Sequence, residues 1–126
     1  MNSIDNKQPT GSLRISRDVI ATIAGTATRE IEGVADLAAF TTNIKGWLIK
    51  KQTAKSIVIE LNDEVATIDI HVLLRQGAKI PDVSSKIQTA VKEAVQSMTG
   101  IAVSRVNIYV SGIQFAEQET SVLPAL

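Results

Sequence analysis

The chain has 126 residues, the size of one domain that buries a core without disulfide or metal staples. Thirteen lysines and arginines balance 13 aspartates and glutamates, so the overall basic excess with which duplex-binding proteins neutralise phosphate is missing. Cysteine is absent, which excludes disulfides, thiolate zinc sites and iron–sulfur clusters, and no apolar run approaches the roughly 18 residues of a membrane-spanning helix.

Residues 1–11, MNSIDNKQPTG, are polar and lack the basic and apolar regions of a signal peptide. They read as a disordered N-terminal arm, and the domain is taken as residues 12–115 with a tail at 116–126. Leu13 and Ile15 alternate with Ser12 and Arg14, which predicts a short strand. Ser16 is placed as an N-cap, and Asp18 lies in the first turn, where the helix dipole favours an anion. Val19, Ile20, Ile23, Ala24, Ala27 and Ile31 follow at helical spacing and predict a core-facing stripe that ends at Gly33. Residues 36–54 mix a helical apolar pattern (Leu37, Phe40, Ile44, Trp47, Leu48) with Thr41, Thr42, Asn43 and Gly46, and read as a loop with partial helix.

A hairpin comes next. Ile57, Ile59 and Leu61 alternate with Val58 and Glu60, and Asn62-Asp63-Glu64 supplies turn residues. Ile68, Ile70, Val72 and Leu74 then share one face, with Thr67, Asp69, His71, Leu73 and Arg75 on the other. Pro81 and Asp82 open a second helix whose stripe is Val83, Ile87, Ala90, Val91, Ala94, Val95 and Met98, and Gly100 closes it. In the last strand Val106, Ile108 and Val110 oppose Arg105, Asn107, Tyr109 and Ser111.

The order is β-α-β-β-α-β. One-sided helices and alternating strands bury their apolar faces together in two layers, which predicts an α+β sandwich. Two helices cover one face of a small sheet, mainly antiparallel or mixed. The other face is left to water or to another molecule.

Three stretches, ISRDVIATIAGTATREIEGVADL at 15–37, SIVIEL at 56–61 and VATIDIHVLLRQGAKIPDVSSKIQTAVKEAVQSMTGIAVSRVNIYVSGIQF at 65–115, together resemble the alkaline shock / general stress protein family of Gram-positive bacteria. The most specific pieces are Glu30-x-x-Gly33-Val34, the strand–Gly77–Pro81 junction and Met98-Thr99-Gly100. The resemblance implies a small cytoplasmic protein without a known reaction, linked to envelope or alkaline stress. It also implies self-association and residence at the inner membrane face through a separate membrane-anchored partner. It offers no catalytic residues, and this chain carries the bulky Phe40 and Trp47 where members are richer in glycine.

The residues themselves argue little for catalysis. His71 is the only histidine, and Asp69, Asn107 and Tyr109 share its predicted face if the two strands are neighbours. A histidine oriented by a carboxylate is a sensible general base, but an exposed sheet face is flat, and catalysis needs a pocket that excludes water. One histidine and scattered carboxylates build no metal site, and no glycine-rich phosphate loop is present. No cofactor is expected. RNA binding is the alternative reading, although the G-x-x-G loop of KH modules is missing. Gly25, mid-helix beside Ala21, Ala24 and Thr28, fits close packing on the sheet or a contact between copies.

The sequence FTTNIKGWLIKKQTAK at 40–55 holds the only tryptophan and four of the eight lysines. Phe40, Lys45, Trp47, Lys50, Lys51 and Lys55 form the candidate partner-binding segment, because a tryptophan anchor among cations suits a protein partner. The bland reading is that both aromatics cap the core edge while the lysines solvate a loop. The candidate exposed sheet face is Val58, Asp69, His71, Leu73, Arg105, Asn107 and Tyr109. These features favour a non-enzymatic interaction protein, and the resemblance implies one that self-associates and is peripheral at the cytoplasmic membrane face.

Overall fold

The computed structural model of the chain describes residues 10–38 and 56–115. Its elements are α1 (Arg17–Arg29), β1 (Val34–Leu37), β2 (Ile57–Asn62), β3 (Val65–Arg75), α2 (Ile80–Thr99) and β4 (Ala102–Gln114). The architecture is the expected α+β two-layer one, with a mixed sheet.

The central strand is β3. Its alternate residues Ala66, Ile68, Ile70, Val72 and Leu74 are fully buried, and they form one cluster with Ile20 and Ala24 of α1 and Val83, Ile87, Val91 and Val95 of α2. One edge of β3 carries two antiparallel strands laid end to end. β2 pairs from Ile57↔Ile70 to Asn62↔Val65, and β1 pairs from Val34↔Leu74 to Leu37↔Val72. The seam is His71, whose N–H donates to the Ser56 carbonyl and whose own carbonyl accepts from the Ala38 N–H, both at 2.8 Å. The other edge takes β4 in parallel. A parallel neighbour requires a crossover, and α2 supplies it.

Local chemistry explains the element ends. Ser16 caps α1 by accepting from the Val19 N–H at 3.3 Å, as its position suggested. Gly100 closes α2 in the left-handed region (φ 79°), its N–H donating to the Gln96 carbonyl at 2.9 Å. The β2–β3 turn holds Asp63 and Glu64 at φ 53° and 65°, the backbone of a two-residue hairpin loop. Gly33 does not end the helix, which stops at Arg29, but sits in the turn immediately before β1. There it has φ 103°, and an added Cβ would lie 2.8 Å from Val83 Cγ2.

Four expectations need correction. Leu13 and Ile15 form no strand; residues 11–16 have no regular structure, and Leu13 is 80% exposed. A strand needs a partner, and residues 11–16 pair with none of the four strands. The first strand is instead Val34–Leu37, partly inside the stretch read as loop and helix. The α1 stripe is turned toward Ile20, Ala24, Gly25 and Thr28, which leaves Val19 exposed. Met98 is 70% exposed although it shares the helix face of Ile87 and Val91, because it lies in the last turn of α2, beyond the buried cluster whose last member on this helix is Val95. Gly25 is explained by packing on the sheet: a Cβ there would meet Ile57 and Leu37 side chains, each at 3.4 Å.

Candidate functional site: the open sheet face

The face of the sheet opposite the helices is built by strand alternation and cross-strand register. Successive rows across β2, β3 and β4 are Glu60–Thr67–Arg105 and Val58–Asp69–Asn107, followed by His71–Tyr109 on β3 and β4. Asp36 of β1, Leu73 and Gly112 make the last row. All seven residues expected on this face are on it. Val58, Arg105 and Tyr109 are exposed, and Asp69, His71, Leu73 and Asn107 are half-buried.

The rows are tied together by side-chain contacts. Asn107 Nδ2 donates to Asp69 Oδ1 at 2.8 Å. The His71 and Tyr109 rings stack with centroids 4.8 Å apart and planes inclined by 19°. Leu73 lies over Gly112, where a Cβ would sit 3.2 Å from its Cδ2. The glycine thus gives a half-buried leucine a flat seat beside the aromatic pair. Asp69 therefore serves the strand pair through Asn107, and the ring of Tyr109 shelters one side of His71.

Two concavities among the described residues adjoin this face, the second reaching its Arg105 and Asn107. One is a trough where residues 10–15 meet Leu61, Glu64 and residues 99–101, with Arg14 and Glu64 as its ionisable groups. The other is a groove between α2 and β4, lined by Gln88, Lys92 and residues 103–107. Neither brings a nucleophile to a base. Among the described residues no three of His, Cys, Asp and Glu are grouped to hold a metal, and no helix is long and apolar enough to cross a membrane.

The other candidate segment, with Phe40, Lys45, Trp47, Lys50, Lys51 and Lys55, lies outside the described residues. Sequence reasoning missed the polar flank of α2. Gln88 Nε2 donates to the Val106 carbonyl at 2.9 Å, and Gln96 Oε1 accepts from the Val103 N–H at 3.0 Å. The available signal was the spacing of eight, which sets both glutamines on one side of the helix beside the apolar stripe.

Relatives share this domain nearly end to end. The chain is 32% identical over 106 residues to uncharacterized protein YqhY of Bacillus subtilis, covering 83% of this chain and 78% of that one. It is 33% identical over 116 residues to uncharacterized protein YloU of the same organism, covering 89% and 96%. An uncharacterized protein of Streptococcus pyogenes serotype M6 is 36% identical over 107 residues, covering 82% and 88%. Among solved structures, MamM CTD variants superpose with a TM-score of 0.47 at 10% identity, covering 79% of this chain and 96% of theirs, too distant a likeness to bear on function. A sequence profile of the alkaline shock protein 23 family, described as having a cell envelope-related function, matches residues 5–115. The chain belongs to that family, the one its helix ends and strand pattern resemble.

Proposed function

We propose that this protein is a non-enzymatic interaction module of the cell envelope. It self-associates and is recruited to the cytoplasmic face of the membrane by a protein partner, in response to envelope or alkaline stress. The observation that carries this reading is the open sheet face. Val58, Leu73 and Tyr109 give it apolar area, Asp69–Asn107 and His71–Tyr109 make it rigid, and no described helix covers it. Surface of this kind gains by being buried against a neighbour. Without a water-excluding pocket it offers little to a reaction.

Nucleic acid is a poorer occupant. Glu60, Asp69 and Asp36 share the face with Arg105, and carboxylates repel the phosphates that supply most nucleic-acid affinity.

The test is light scattering across a concentration series, on the wild type and on Val58→Glu/Leu73→Glu. The wild type is expected above the 13.5 kDa of one chain, and the double variant is expected to keep that mass and its circular dichroism while losing capture of the membrane-anchored partner, the occupant of the open face. A wild type that stays monomeric throughout removes self-association from the reading.

A further inference from the structure

We infer that the outer edge of β4 pairs antiparallel with the same edge of a second copy, about a two-fold axis through Tyr109, to make one continuous sheet from two chains. This rests on the self-associating part of the proposed function and specifies where it happens.

The edge itself is the first observation. β4 runs 13 residues, pairs with β3 on one side, and has no strand on the other among the described residues. Proteins guard such edges with lysine, proline, bulges or a covering element. Between Ala102 and Gln114 there is no lysine or proline, and Arg105 is the one charge.

The guards that exist cover only the start. Gln96 and Gln88 of α2 satisfy the Val103 N–H and the Val106 carbonyl on the side away from β3. The register skips Ser104, where β4 bulges. Alternate residues of a strand direct both backbone groups to one side. Ile108 and Val110, following Val106 by two and four, therefore aim N–H and C=O outward. The register next skips Ser111 and ends the regular run. What is left open beyond Val106 is a short window, two donors and two acceptors, with Tyr109 at its centre.

That symmetry selects the occupant. In antiparallel pairing with a second copy, Ile108 exchanges both bonds with the second copy's Val110, and Val110 does the same with the second copy's Ile108. Four hydrogen bonds close and both windows are filled, which is an isologous contact. No charge opposes a like charge, because none lies between Val106 and Gln114. Tyr109 falls opposite the second copy's Tyr109, a non-hydrogen-bonded pair with Cα atoms about 4.5 Å apart. Both rings stand on the open face, each already stacked on its own His71, so four rings make one row.

The chain has no cysteine, so single introduced thiols report the geometry directly. Tyr109→Cys is expected to give a disulfide dimer under mild oxidation, since the pair meets disulfide geometry. Val58→Cys, two strand spacings (about 10 Å) in from the edge, is expected to stay unlinked. Linkage at Val58 and not at Tyr109 puts the contact on the sheet face; it overturns this inference and leaves the proposed self-association standing. Equal linkage at both sites overturns the edge assignment, as does linkage at neither, and light scattering of the wild type then decides separately whether self-association stands. A backbone readout needs no variant: the Ile108 and Val110 amides should gain at least tenfold protection from hydrogen exchange as the wild type is concentrated. Fast exchange of both at every concentration overturns the inference.

Discussion

The imidazole of His71 and the phenol of Tyr109 lie nearly parallel, centroids 4.8 Å apart, across the β3–β4 pair. They sit between the two points where β4 slips register, Ser104 and Ser111. The stack therefore holds the regular stretch of the parallel pairing, which lacks a hairpin turn to set it. Tyr109→Ala is expected to cost about 1 kcal/mol, the worth of a cross-strand ring pair. For a domain near 100 residues that lowers Tm by roughly 4–8 °C. A calorimetric scan with unchanged Tm would show the stack contributes nothing to the fold.

Ile70 is fully buried at the middle of β3. Ile70→Asp places a carboxylate where no described cation can pair with it and removes core volume. A loss of roughly 4 kcal/mol or more is expected, enough to unfold most of the protein at 37 °C. Far-ultraviolet circular dichroism and a melting curve decide it; a cooperative melt near the wild-type Tm contradicts this placement of the strand.

Gly33 carries two constraints at once, a positive φ and the Val83 side chain against it. Gly33→Ala is expected to destabilise by more than the roughly 1–2 kcal/mol of left-handed backbone strain alone, because α2 must also shift. Gly77 shares the positive φ with open space around it, so Gly77→Ala isolates the strain. Urea denaturation should rank Gly33→Ala as clearly the more damaging.

Glu64 occupies the left-handed region in the β2–β3 turn, where glycine is favoured. Glu64→Gly is expected to stabilise by about 1 kcal/mol, seen as a higher urea midpoint with the same slope. A lower midpoint would mean that the Glu64 side chain compensates its own backbone.

Trp47→Ala with Lys50→Glu tests the segment at 40–55. Binding to a membrane-anchored partner should weaken at least tenfold, measured by calorimetric titration, while the thermal melt is retained. Unchanged affinity removes this segment as an anchor; a collapsed melt assigns Trp47 to the core edge.

Much of this fold is written locally. The period of two in β3 identified its buried and open faces, and Val83, Ile87, Val91 and Val95 fell where their spacing put them. Ser16 and Gly100 marked helix ends by chemistry that needs no distant partner. What was illegible depends on distant residues. Val34–Leu37 is too short to declare itself a strand and becomes one only by meeting Val72 and Leu74. Leu13 and Ile15 have the alternation but pair with no strand. The members of the open face were readable from alternation, yet the Asp69–Asn107 bond required knowing that β3 and β4 are parallel neighbours. The glutamine guards of β4 were invisible because a polar helix flank usually faces only water.

One consequence of the His71 seam concerns tolerance to insertion. Ala38 and Ser56 are moored to the carbonyl and amide of a single residue, so whatever joins them leaves and re-enters the sheet at one spot. Doubling the length of such a closed excursion costs only about 0.6 kcal/mol of chain entropy. The scaffold can accept longer, shorter or wholly different cassettes at this port while the four strands and two helices stay as they are.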